Sequence, residues 1–417
     1  MTENNKEQRN KHLWLYVMTV LLSAAILLFG WKYIRSLGTL QGDTQLVPLK
    51  AQVVTVLDRQ IESDAYLNGD TIDTVHVIFS AKILDNNGQS PNIMAIQTID
   101  GYLPSGMKEV ESGDIVLLYK GLDPSSPEEY SFGDYWRIDM ILGLLAVFCV
   151  ALLIFGHIKG ANTIVSMIFT IGAVFAVFVP SILAGCNIYV WSISVCLYII
   201  VMTLLIVNGW NAKTLTAALG CFGGVVLAGI LTYLMSNLLH LTGVVNEQSI
   251  YLTSLSVSIN LKALIFAAII IGAVGAIMDV AMSISAALHE LCIKVEQPTF
   301  SLLLKSGITI GRDMIGTMAN TLVLAYIGSS LSVVVLLMAY QPHFNDLFNR
   351  EMIVVEVLQA LVGSIGILAS IPLTSVLGAW LFPKPKQGHT VINSANQPYN
   401  PEHAPSPFPA QESPEDN

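Results

Sequence analysis

Several stretches of this chain are uninterrupted apolar runs of about eighteen residues or more, the length an α-helix needs to cross ~30 Å of hydrocarbon at 1.5 Å per residue. A helix on a soluble core keeps a polar stripe toward water, so repeated runs of this kind argue for spans of a bilayer. Composition agrees: 53% of the 417 residues are apolar and 12% are charged, against about a quarter charged in an ordinary soluble domain. The formal charge of -10 collects in one polar segment and the C-terminal tail, so it points to no nucleic-acid or acidic partner.

The runs predict eight spans: Leu13–Trp31, Ile138–Gly156, Ala161–Gly185, Ile188–Asn208, Thr214–Leu241, Leu261–His289, Thr317–Tyr340 and Ile353–Phe382. Two readings of the first are open, a signal peptide and an anchor. Its length, its bulky Trp14, Tyr16 and Trp31, and the lack of a small-x-small cleavage site favour the anchor. Orientation follows from Lys and Arg near span ends. With residues 1–12 in the cytoplasm, Lys6, Arg9, Lys11, Lys159, Lys213, Lys294, Lys305, Arg312, Lys384 and Lys386 fall inside and outnumber Lys32, Arg35, Arg137, Lys262 and Arg350 outside. The expectation is a multi-pass protein of the plasma membrane with both termini cytoplasmic.

Residues 38–137 are a different material. Val75, Val77, Phe79, Ala81 and Ile83 alternate with polar residues and run into Asp85-Asn86-Asn87-Gly88, the chemistry of a hairpin turn. Ile93–Ile99 and Ile115–Tyr119 read as further strands, and the whole as a small extracytoplasmic β-sandwich or barrel. Asp70 and Asp73 read as solvated turn residues rather than a cation site. The cysteines, Cys149, Cys186, Cys196, Cys221 and Cys292, lie in or beside apolar runs with no metal-ligand spacing and read as packing residues. Residues 383–417, rich in Pro among polar residues, cannot build a core and read as a disordered cytoplasmic tail.

One stretch is more specific. From Gly272 the chain reads GAVGAIMDVAMSISAALHEL, and from Ser306 to Leu331 it reads SGITIGRDMIGTMANTLVLAYIGSSL. This pairing of a G-A-x-x-D helix ending in H-E with a G-R-D-x-x-G-T-x-x-N-T-L helix resembles the YibE/F family of bacterial multispan membrane proteins. The resemblance implies an N-terminal anchor, an outer β domain and a membrane bundle, which the apolar runs read as seven spans over residues 138–382, and it implies no settled biochemical activity.

Read physically, Asp279 lies ~25 Å from the outer end of its helix, and an ionised carboxylate at such depth costs about 2.5 kcal/mol or more unless it faces a partner or water. Ser283, Ala286 and Glu290 follow it on one helical face. On the next helix Arg312 and Asp313 stand at the cytoplasmic start, with Thr317 and Asn320 along the stripe of Asp313. An ion pair of Arg312 with Asp279 or Glu290 is expected, and it serves either a working site or a helix lock, with snorkelling of Arg312 to lipid phosphate as the further alternative. Gly272, Gly275, Ala276, Gly311, Gly316, Gly328 and Ser329 flank the site, and Gly363, Gly366 and Pro372 lie in the last span. They read as sites of close helix packing or bending. Glu356 reads as a mouth or interfacial charge.

Enzyme chemistry finds no constellation here. His289-Glu290 lacks the second half of H-E-x-x-H, and no glycine loop cradles a phosphate. Arg312 beside Asp313 argues against two acids sharing a proton with Asp279. No cofactor or metal is expected. The expected partners are the bilayer and either a second copy or a homologous membrane protein. The polar face points to a permease or exporter of a small solute with substrate- or ion-binding residues Asp279, Ser283, Glu290, Arg312, Asp313, Thr317 and Asn320. The alternative is a non-transporting scaffold or sensor whose β domain binds a cell-envelope partner.

Overall fold

The computed structural model describes residues 3–37, 48–65, 71–84, 92–99, 108–120, 130–254, 257–295, 297–340 and 343–382. The expected turn at Asp85–Gly88, Asp70 and the tail at 383–417 lie outside them. The rest is a five-stranded barrel inserted after the first helix of a mostly helical protein.

The barrel comprises β1 (Pro48–Ala65), β2 (Thr71–Ile83), β3 (Asn92–Ile99), β4 (Ile115–Lys120) and β5 (Tyr130–Tyr135). Its closed order β1-β2-β3-β5-β4 is antiparallel except at the β3–β5 seam, the architecture of OB-type barrels. Alternation puts Ala51, Val53, Val77, Phe79, Ala81, Ala95, Val116 and Leu118 inside. Gln97 occupies a core position. Its Nε2 donates to Lys108 O at 3.1 Å and its Oε1 accepts from Val110 N at 2.9 Å, which pins the segment before β4 across the barrel. β1 and β2 run on past the barrel as a two-stranded ribbon, register-shifted after Val53 and Val56, with Val54, Leu57 and Ile61 exposed. Asp73 belongs to this ribbon rather than to a turn, and accepts the Ser63 hydroxyl.

A basic and aromatic joint links the barrel to the helices. Lys50 pairs with Asp139 at 2.8 Å while lying 4.5 Å above the Trp136 ring. The Asp134 carboxyl is held below the ordinary carboxylate range, first because Arg137 donates to it at 2.8 Å.

Among the described residues six helical stretches are long and apolar enough to cross a membrane: Trp14–Ser36, Ile138–Leu183, Ile188–Asn208, Ala212–Leu238, Leu261–Lys294 and Glu351–Leu381. The first lies in α1 (Glu3–Ser36). The second is not straight. It joins α2 (Ile138–Gly172), a π-helical turn at Ala173–Phe178 and α3 (Val179–Leu183), and His157 within α2 has φ 47°. Residues eight apart in a straight helix lie ~12 Å from one another, yet a methyl on Gly160 would collide with Leu152 O. The chain therefore doubles back between the two apolar runs. The first of them, Ile138–Gly156, is exposed along almost its whole length.

α1 is tied through its polar residues to α4 (Ile188–Asn208) and the turn after it: Ser23 Oγ is 2.6 Å from Tyr198 Oη, and Trp210 Nε1 donates to Thr19 Oγ1 at 3.1 Å. After α5 (Ala212–Leu238) and the short α6 (Glu247–Thr253) come α7 (Leu261–Lys294), α8 (Phe300–Ser329), α9 (Leu331–Tyr340), α10 (Phe344–Phe348) and α11 (Glu351–Leu381). The expected seventh span, Thr317–Tyr340, is divided at Ser330 between α8 and α9, and neither meets the length and apolarity of a spanning helix alone. α8 instead begins at Phe300, capped by Thr299, well before the expected start.

Glycines set the core. A methyl on Gly224 of α5 would lie 2.8 Å from Gly366 O of α11 and 2.9 Å from Ile277 Cγ2 of α7, and one on Gly366 2.7 Å from Ile277 Cδ1. Gly307 and Gly311 of α8 lie against Ser375 and Ile371 of α11. Such contacts supply the van der Waals packing that substitutes for a hydrophobic drive inside lipid. Gly224→Val should therefore lower the thermal stability of purified protein by about 1–3 kcal/mol through overpacking, while Gly143→Ala, with open space around it, should leave the unfolding curve in place.

Candidate functional site

The register of α7 and α8 follows from their closest approaches. A methyl on Gly272 would lie 2.9 Å from Tyr326 Oη, and one on Gly307 3.1 Å from Leu288 Cδ1, so the helices run antiparallel. Counting inward from both contacts places Asp279 level with Gly316–Ala319 and Arg312 level with Ser283. Arg312 also lies level with the Ile371–Pro372 region of α11, because its neighbour Gly311 packs on Ile371. Just over three turns of helix precede it. The guanidinium thus originates well along a helix that packs on a spanning one, not at the start of its own.

The two helices turn opposite faces inward. On α7 the core side is Ile277, Val280, Ala281, Ile284 and Leu288, all buried. Gly272, Gly275, Asp279, Ser283 and Glu290 follow one another on the exposed side. On α8 the buried positions are Leu303, Gly307 and Gly311, and Lys305, Thr309, Arg312, Asp313, Gly316, Thr317 and Asn320 are exposed. The two outward faces form one polar, glycine-bearing surface, and this amphipathic character is why α8 falls short of a spanning helix by apolarity.

All seven expected site residues lie on that surface, and the expected ion pair does not form within the chain. Glu290 reaches Lys294 of its own helix at 4.0 Å, and Arg312 has no carboxylate within pairing distance among the described residues. The reason is rotational. Gly311 takes the place against α11, so Arg312, about 100° further around the helix, faces outward. Thr317 Oγ1 donates to Met314 O at 3.0 Å, while Asp279, Arg312, Asp313 and Asn320 make no side-chain hydrogen bond among the described residues.

Other polar residues around the site carry no sequence signal. Ser285, 0% exposed, donates to Lys213 O of α5 at 2.7 Å. Tyr326 Oη and Gln359 Nε2 converge on Gly272. Thr214, Thr216 and Thr374 bury hydroxyl oxygens that have no hydrogen-bond partner among the described residues. At the other end of the bundle the Glu351 carboxylate accepts from Thr242 N, Thr242 Oγ1 and Gly243 N at 2.6–2.8 Å, fastening α11 to the loop after α5. His289 lies edge-on to the Phe382 ring at 5.3 Å.

Ser283 and Ser285 look alike in sequence and differ in role. Ser285→Ala should cost about 1 kcal/mol in thermal unfolding, the net worth of a buried hydrogen bond. Ser283→Ala should leave the midpoint unchanged. Equal shifts would mean that the outward face of α7 is misassigned.

No curated protein and no solved structure matches the chain. A family profile described as YibE/F-like protein matches residues 144–384, from within α2 to just beyond α11, and so includes the whole α7–α8 surface. That match covers more than half of the chain, and the protein belongs to the YibE/F-like family.

Proposed function

We propose that the protein is a multi-pass plasma-membrane permease or exporter of a small solute, working through the polar surface of α7 and α8. The observation that carries this reading is Asp279, an exposed carboxylate in a spanning helix with no ion-pair or hydrogen-bond partner in its own chain among the described residues. An ionisable group in that position belongs beside water, a bound cation or another protein group, and such residues mark ion and substrate paths. Ser283, Thr317 and Asn320 supply neutral oxygens nearby, and Arg312, Asp313 and Glu290 supply charge toward the cytoplasmic end.

In this reading the chain crosses eight times. α2 and the segment after its reversal count as two crossings, and α8 with α9 as the seventh. The termini are cytoplasmic and the barrel faces the outside. α1 stays with the bundle as an integral helix, supported by its hydrogen bonds to Tyr198 and Trp210. No chemical reaction is assigned to the protein. A second reading, a scaffold or sensor that binds an envelope partner, draws on the β1–β2 ribbon with its exposed Val54, Leu57 and Ile61.

Two measurements test these readings. In a cysteine-free background, single cysteines in the barrel and near Asn246 should react with an impermeant thiol reagent on intact cells, and one at Lys305 should not. Reaction at Lys305 from outside would invert the orientation. For function, small molecules inside and outside cells should be compared with and without the protein, and again with Asp279→Asn. The amide keeps the shape and removes the charge, so the variant should be stable, correctly inserted and inactive in transport. A stable Asp279→Asn protein that fully restores the deletion phenotype would place the scaffold reading ahead.

A further inference from the structure

Arg312 and Asp313 are adjacent, opposite in charge and exposed, and neither has an ion-pair partner in its own chain among the described residues. They stand level with the inner half of α11, beside a spanning helix. On the same face Gly316, one turn beyond Arg312 on α8, and Gly275, one turn from Asp279 on α7, have nothing within 4 Å of the position a methyl would take, unlike Gly224, Gly307, Gly311 and Gly366, which the same chain fills. A face with small residues, unpaired charges of both signs and a buried-depth carboxylate is an interhelical surface without its other half.

We propose that the other half is the same face of a second copy of the chain, with Arg312 of each copy paired to Asp313 of the other across a two-fold axis along the membrane normal. The proposal rests on the reading of the α7–α8 surface as the polar site, and completes it: each copy supplies the wall that the other lacks.

The charge pattern selects this occupant. In a two-fold interface residue i meets j while j meets i, so a surface must be complementary to itself. Arg312 next to Asp313 satisfies that condition with two reciprocal pairs at one depth. An axis along the membrane normal keeps every residue at its own depth, so Arg312 of the second copy also reaches toward the level of Ser283, one turn from Asp279. Gly316, one turn from Arg312, lets the backbones approach closely enough for those contacts, and Gly275 does the same near Asp279, as small residues do at helix interfaces in lipid.

The test uses the full chain, with the native cysteines replaced, in its own membrane. Gly316→Cys should give a disulfide-linked dimer on mild oxidation, whereas Leu227→Cys, on an exposed face of α5, should not. Arg312→Asp alone and Asp313→Arg alone, each added to the Gly316→Cys chain, set like charges opposite one another and should lose the dimer band. Co-expressed with different tags, the two variants should pair with each other and regain it, because each then meets its complement. That recovery also shows that both chains fold. A chain that stays monomeric in native lipid discs, cross-links through Leu227 instead, keeps its dimer under either single reversal, or brings down a different membrane protein through Gly316 would overturn the proposal. None of these readouts depends on transport, so a failed Asp279→Asn transport experiment and a failed dimer remain distinguishable.

Discussion

The close approach of α5, α7, α8 and α11 at glycines governs the rest of the bundle. When Gly224 and Gly366 bring α5 and α11 to backbone contact with Ile277 between them, the rotation of α7 is fixed. Asp279, about half a turn of helix away from Ile277, is then committed to the outside. Gly307 and Gly311 do the same for α8 and commit Arg312. Side chains this small lose little conformational entropy and allow extensive backbone contact, so the packing that stabilises the core also decides which polar groups it excludes.

A consequence is that the core is almost free of charge while polar groups remain within it. The buried polar residues of α5, α7 and α11 are Ser and Thr, and several return their hydroxyl to the carbonyl three or four residues earlier, as Ser370 and Ser375 do. Ionised groups sort instead to the outward face of α7 and α8 or to the ends, where Glu351 is fully engaged by three donors. In hydrocarbon a charge without a partner costs far more than a hydroxyl that bonds its own backbone, so the segregation follows from solvation. It leaves Asp279, Arg312 and Asp313 on the α7–α8 face without an ion-pair partner in the chain among the described residues.

Much of this was legible in the sequence. The apolar runs gave α4, α5, α7 and α11 to within a few residues, and alternation around Phe79 gave β2, because both signals come from one face or all faces being buried. The reversal at His157 falls in the short polar interval between two predicted spans. The seventh span was misplaced because a hydropathy window averages over all faces. An amphipathic helix beginning at Phe300 looks polar until Thr317, so hydropathy alone sets Arg312 at a helix start when it lies just over three turns in. β1 was missed for the related reason that its ribbon half is exposed on both faces and shows no alternation. The expected pairing of Arg312 failed on rotation, which no single-chain spacing rule supplies: facing residues on neighbouring helices are set by whichever side chains are small enough to let the backbones touch.

The barrel and the helices also divide the work differently from what their sizes suggest. The barrel is self-contained, with a closed hydrogen-bond ladder and its own core, and it meets the helices through Lys50, Trp136, Arg137 and Asp139. A domain joined this way can transmit position through the start of α2, but α2 from Ile138 to Gly156 is exposed along nearly its whole length and rests on nothing rigid. Motion of the barrel would therefore be taken up in that helix and at the His157 reversal before it reached α7 or α8. Relaying a change at the barrel to the polar face of α7 and α8 would need a stiffer link than this one.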